Sequence, residues 1–256
     1  MKPCLPLLAL ILAACAAPPG ATPDTPGLVV HSAGVGEAEA HELANELPSA
    51  RAEVEAFFGA AFLGPTDVSL CPDRAAFDAT FPPEWGMGAT ECWMVAWGVG
   101  GRLALLVPGA WAAQACEHDA ADAGHVHRIL AHELTHVFHG EHNSHPDFSG
   151  VEGLDWFCEG LATLASGQLA REHAGVAARA VEAGTAPAQL ADGWTGRDRY
   201  GVSGSLVAFV DARWGRDTLR RLLSATTCAE LLAALGTSET DFLRDWAAWV
   251  RAGSPR

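Results

Sequence analysis

Two histidines four residues apart inside an apolar stretch constrain this chain more than any other feature. Residues 122–140 carry Val126, Ile129, Leu130, Leu134, Val137 and Phe138 at helical spacing, with His132, Glu133 and His136 among them. On a helix of 3.6 residues per turn, His132 and His136 project from one face about one turn apart, as two ligands of one metal ion require. Glu133 sets a carboxylate beside them, a group able to take a proton from an attacking water and pass it to a leaving amine. Gly140 is the expected helix stop.

The 256 residues and the 49% hydrophobic content provide for a sizeable core. Hydrophobic periodicity predicts a strand over 28–32, a long helix over 37–58, a strand over 66–71 and a short helix over 73–77. Turns follow at Pro82, Pro83 and Gly86 to Gly88, then two strands over 92–97 and 102–107 joined as a hairpin through Gly98 to Gly101. From Ala110 onward the pattern becomes helical. After the His132 helix come a polar loop over 141–153 and helices over 154–167, 201–214, 217–224, 229–235 and 239–250, the last with Ser238 as N-cap. The expected class is α+β, a small N-terminal mixed sheet packed on a C-terminal helical lobe, with the histidine helix between them.

A catalytic zinc takes three protein ligands and keeps one position open. For the third ligand Glu159 on the next helix, His142 six residues beyond His136, and Asp147 or Asp155 all compete. A metzincin arrangement fails twice: His139 stands where its glycine should be, and Met1, Met87 and Met94 all precede the site, so no methionine turn can follow it. The pair His132-Glu133-Leu134-Thr135-His136 with Trp156-Phe157-Cys158-Glu159-Gly160-Leu161-Ala162 resembles the gluzincin metallopeptidases, in particular their aminopeptidase N-like and small bacterial peptidase MA-like branch. The resemblance covers residues 125–165, with an echo over 200–215. It implies a zincin-like fold over residues 28–256, one catalytic zinc, Glu159 as third ligand beside His132 and His136, Glu133 as catalytic base, and hydrolysis of peptide bonds in a peptide or protein substrate.

The same resemblance implies that Tyr200, the only tyrosine, stabilises the oxyanion of the reaction; a packed tyrosine with a wet hydroxyl is the competing reading. His125, His127, His139, His142 and His145 are expected in a polar loop near the cleft rather than on the metal, with Asp155 or Glu152 as partners for the ligand imidazoles. Trp85, Trp93, Trp97 and Trp111 serve either as substrate subsites or as core, whereas Trp246 and Trp249 are packing. His41-Glu42 begins a second His-Glu pair but meets Asn45 where the second histidine should be, and so reads as a solvated face. Gly86-Met87-Gly88-Ala89-Thr90-Glu91 does not reproduce the amine-binding segment of the aminopeptidase N branch, which favours an endopeptidase or a restricted specificity.

The net charge of -15, with no basic stripe, excludes a nucleic-acid partner. Lys2, an apolar run over 5–14 and then Cys15 read as an export signal over 1–14, and Leu12-Ala13-Ala14-Cys15 resembles a bacterial lipobox. Cys15 would then carry a lipid that anchors the protein to the membrane of the cell envelope, with residues 15–27 as tether; an ordinary cleaved signal would make it periplasmic or secreted. Cys71, Cys92, Cys116, Cys158 and Cys228 remain, an odd number, and Cys71 with Cys92 is the preferred bridge. Two other functions stay open: a noncatalytic zinc-binding interaction module, and a hydrolase of a non-peptide amide.

Overall fold

A computed structural model describes residues 26–253. The export signal, Cys15 and most of the tether lie outside the described residues. Four strands, β1 (Leu28–His31), β2 (Thr66–Cys71), β3 (Ala96–Val99) and β4 (Arg102–Leu106), form one sheet. Helices α1 (Glu37–Phe58), α2 (Arg74–Asp78) and α3 (Pro108–Gln114) belong to this half. The rest is helical: α4 (Ala123–Glu141), α5 (Asp155–Ala165), α6 (Gln168–Arg171), α7 (Val176–Ala183), α8 (Arg199–Trp214), α9 (Arg216–Arg221), α10 (Cys228–Leu235) and α11 (Glu239–Arg251). The architecture is α+β. None of the described helices is long and apolar enough to cross a membrane.

The sheet runs β1-β2-β4-β3, parallel across β1, β2 and β4 and antiparallel at β3, which is an edge. The hairpin turns at Gly100 and Gly101, both with positive φ (59° and 75°), the conformation that a two-residue turn between twisted strands demands. Gly98 and Val99 therefore belong to β3, and the strand expected over 92–97 starts four residues late. Cys92 is drawn off the sheet by its disulfide to Cys116, whose N–H also donates to the Cys92 carbonyl. The bridge expected between Cys71 and Cys92 does not form: Cys71 ends β2 as a buried free thiol aligned with Leu106.

The long helix α1 lies along α4, where Phe58 stacks on Phe138 at 4.4 Å and Phe62 meets the same ring edge-on. At the C-terminal end of α4, the Glu141 carboxylate accepts the N–H groups of Leu63 (2.7 Å) and Gly64 (3.1 Å), fixing the turn that leads into β2. Gly140 is not a stop. The helix continues to Glu141, and glycine is required because the Pro146 carbonyl of the following loop occupies the place of a Cβ. The helix expected over 217–224 is α9 followed by one turn of 3-10 helix, Leu222–Ser224. Ser238 caps α11 as expected, its hydroxyl accepting from Asp241 N–H.

Helix α4 sits between the halves, touching β3 and α1 on one side and α5 on the other. Gly98 makes the first contact possible: a Cβ there would lie 2.8 Å from the Glu133 carbonyl carbon. Gly160 does the same for α5 and α8, where a Cβ would lie 2.6 Å from the Ser203 carbonyl carbon. Both glycines are about contact: neither has a positive φ.

Candidate metal centre and its cleft

His132 and His136 lie on consecutive turns of α4, and Glu159 is presented by the facing helix α5. Their ligand atoms converge: His132 Nε2 is 3.2 Å from His136 Nε2 and 3.3 Å from Glu159 Oε2, and His136 Nε2 is 3.7 Å from Glu159 Oε2. Ligands at about 2.0–2.1 Å from a tetrahedral zinc stand roughly 3.3–3.4 Å apart. The three donors thus have the size of one face of such a tetrahedron, and two imidazoles with one carboxylate are the donor types zinc takes. The residues fit the metal.

Electrostatics follow the geometry. Burial raises the affinity of Glu159 for a proton, but the imidazoles of His136 and His132 outweigh it and hold the carboxyl well below the usual range. Glu133 moves the other way, to about 7, chiefly because it is withdrawn from water and faces Glu159, while His132 and a hydrogen bond from the Gly98 N–H oppose the shift. His132 Nδ1 meets Gln168 Oε1 at 2.7 Å. That partner fixes the imidazole orientation and leaves Nε2 for a metal, and it replaces Asp155 and Glu152 in the role expected of them. Asp155 is exposed at the cleft, and Glu152 is exposed in the loop, where its backbone N–H donates to the Thr226 carbonyl.

The other ligand candidates are elsewhere. His142 Nδ1 turns back to the Phe138 carbonyl at 2.8 Å with its ring stacked on Phe138, and Asp147 is exposed, accepting from Ser149 N–H and Oγ. The expectation that the remaining histidines share a polar loop is corrected. His125, His127 and His139 are all on α4. His125 contacts Glu172 and His118, and His127 is clamped between Glu46 and Glu53 of α1. His139 is buried against Phe157 and the Leu223 carbonyl, and burial pushes it down to about 3, so it stays neutral. Of the five, only His142, at the helix cap, and His145 lie in the loop.

The three donors and Glu133 line an open cleft of about 330 Å³. Its lining is aromatic: Phe81, Trp85 and Trp97 cluster beside β3, and Trp93, Phe148, Trp194 and Tyr200 complete it. Trp111 is not part of it: it is buried, its indole N–H donating to the Leu106 carbonyl, and Trp246 is buried likewise. Tyr200 stands with its ring 6.1 Å from that of His132. Burial, together with Glu159 and Glu133, raises the Tyr200 hydroxyl above its ordinary range despite the adjacent Arg199, so the group stays a donor at neutral pH. Gln168, Gly98, Trp194 and Arg199 carry no motif in the sequence; each acquires its place through a contact between elements distant along the chain.

Compared with protein-family models and with curated protein sequences, the chain matches none.

Proposed function

We propose that this protein is a zinc-dependent hydrolase of peptide bonds, a gluzincin-type peptidase with zincin-like architecture. One observation carries the reading: two imidazoles and a carboxylate spaced as a face of a zinc tetrahedron, with an unliganded glutamate beside them in an open cleft. The gluzincin resemblance of residues 125–165, carried in part by the same residues, agrees with it. His132, His136 and Glu159 would hold the ion. Zinc bound there supplies Lewis acidity, polarising a carbonyl and making water acidic near neutral pH.

The chain's own groups do the remaining work. The Glu133 carboxylate, oriented by the Gly98 N–H, takes a proton from water as its oxygen attacks the scissile carbonyl carbon. It returns that proton to the amide nitrogen as the C–N bond breaks, so the products are a carboxylic acid and a free amine. Tyr200, still protonated, donates a hydrogen bond to the developing oxyanion. The aromatic walls exclude water around the reacting bond and offer apolar surface to side chains on either side of it.

We assign the protein to the cell envelope, anchored through a lipid on Cys15; the Cys92–Cys116 disulfide supports an oxidising compartment. Membrane release on Cys15→Ser is the check, and a wild type without lipid sinks the anchor. For the chemistry, the purified protein is expected to hold one zinc, lost in H132A and E159A, and to cleave members of a peptide library. E133Q should keep the zinc and lose the cleavage. Zinc without cleavage of any peptide would leave the noncatalytic module or a non-peptide amide substrate; retained cleavage in E133Q would falsify the role of Glu133.

A further inference from the structure

Arg199 is the least expected charge in the cleft region. It opens α8, and its guanidinium carbon lies 5.0 Å from the ring centre of Trp194, 5.3 Å from that of Trp93 and 5.3 Å from that of Tyr200. All three rings line the metal cleft. The Nε of Arg199 is out of water with no hydrogen-bond partner, and no carboxylate among the described residues pairs with the side chain. In a chain with 31 acidic and 16 basic residues, a half-buried guanidinium set among three aromatic rings, with the Tyr200 hydroxyl rather than a carboxylate as its polar neighbour among the described residues, is unusual. Aromatic faces attract a cation by roughly 0.5–2 kcal/mol, which does not replace an ion pair. The planar fork thus retains donors suited to a carboxylate.

The surroundings sharpen this. The acidic groups of the cleft are Glu133, Asp155 and Glu159. A carboxylate entering among them is repelled unless a cation receives it, and Arg199 adjoins the wall formed by Trp194 and Tyr200. Tyr200 alone bridges the two features, its ring 6.1 Å from His132 and 5.3 Å from the guanidinium. An extended chain advances about 3.3 Å per residue, so a carboxylate held by Arg199 belongs to the residue at the cleaved bond or to one of the next few.

We infer that Arg199 makes this a site for substrates bearing a carboxylate close to the scissile bond, either the C-terminal carboxylate of a peptide or an acidic side chain. The inference rests on the hydrolase reading for its catalytic consequence, but not for binding. Arg199 is then a specificity determinant: its guanidinium receives the carboxylate while Trp93 and Trp194 hold the guanidinium in the wall.

The test uses full-length, zinc-loaded protein and one cleavable peptide in two matched pairs. One pair compares the free C-terminal carboxylate with its amide; the other compares aspartate with asparagine beside the cleaved bond. At least about a tenfold higher kcat/KM is expected for the charged member of one pair, the size of a charge-assisted hydrogen bond. The pair that shows it identifies the source of the carboxylate. The ratio should fall to near one in R199Q and persist in R197Q, which removes an exposed charge two residues away. Equal rates within both pairs, or a ratio that survives R199Q, overturn the proposal and leave zinc hydrolysis standing.

If no peptide is cleaved, the hydrolase reading fails instead, and binding decides the role of Arg199. N-acetylphenylalanine and its amide, or N-acetylaspartate amide and its asparagine counterpart, are titrated with tryptophan fluorescence as readout, before and after chelation. Tighter binding of the acid in either pair, kept after chelation and lost in R199Q, supports the proposal. Equal binding in both pairs, or a preference that vanishes with the metal or survives R199Q, overturns it.

Discussion

Replacing Gly160 with alanine tests whether α5 and α8 are held at backbone contact. Inside an exposed helix such a change stabilises by roughly 0.5–1 kcal/mol, because alanine restricts the unfolded chain and favours the helix. Here the added Cβ would stand 2.6 Å from the carbonyl carbon of Ser203 and 2.9 Å from Val207 Cγ2, with the Ser203 oxygen nearer still. Ordinary carbon contacts begin at about 3.5 Å, so the helices must part by roughly 1 Å. Backbone atoms cannot rotate aside, and overpacking of this kind costs about 3 kcal/mol or more. After the helix-propensity gain the net loss is about 2–3 kcal/mol, or roughly 4–12 °C in Tm for a domain of this length. Gly204 on α8 is the control, since its Cβ would meet side chains rather than backbone, with Leu169 Cδ1 at 3.0 Å, Thr163 Cγ2 at 3.1 Å and Thr163 Cβ at an ordinary 3.5 Å. Urea denaturation of chelated G160A, G204A and wild type reads the two costs without relying on a metal. If G160A is as stable as G204A, the claim of rigid backbone contact is wrong. Glu159 immediately precedes Gly160, so zinc affinity should fall in G160A as well.

Three further outcomes are expected. Q168A frees the Nδ1 side of His132 and should weaken zinc binding by about 10–100-fold in chelator competition with little change in Tm; unchanged affinity would show that the imidazole needs no such support. Burial lowers the pKa of His127, but Glu53 and Glu46 outweigh it and the net shift is upward, so its ion pairs contribute fully below the ordinary histidine value and fade as pH rises through the raised one. The stability difference between wild type and H127Q should therefore shrink from pH 6 to pH 9, and a constant difference refutes the assignment. Removing the Cys92–Cys116 bridge, which spans 24 residues, in the double serine variant should cost about 3 kcal/mol in denaturant titration; a loss below about 1 kcal/mol would mean that the rim folds without it.

Elements with a strong local signature were legible in the sequence. The spacing of Leu43, Leu47, Val54 and Phe58 and the alternation within residues 66–71 gave α1 and β2 their observed bounds. The pairing of His132 with His136 was legible for the same reason, since helical spacing alone brings them together. Glu159 was one of several candidates on the residues alone, and only the resemblance preferred it, because its meeting with His132 depends on how α5 folds back. The remaining histidines were misread because local polarity does not reveal depth. His125, His132, His136 and His139 fall close to one stripe of α4, yet Phe157 and Leu223 cover His139 whereas the stripe opens onto a cleft at His136. The disulfide was illegible for a related reason: cysteine spacing holds no information on which strand ends where, and β3 begins only after Cys92 has left the sheet.

The close approach of Gly98 to Glu133 also bears on motion. A strand seated against a helix backbone with no side chain between them cannot slide along it without collision, so β3 and α4 move as one piece. The exposed rim bearing Trp85, Met87 and Trp93 has no such backbone seat; it is held by the disulfide and by Arg74 on the carbonyls of Cys92 and Met94. The cleft thus joins a floor set by backbone contact to an aromatic rim tied by one covalent bond and a few side-chain hydrogen bonds, so substitutions at the rim can reshape it without disturbing His132, His136 and Glu159.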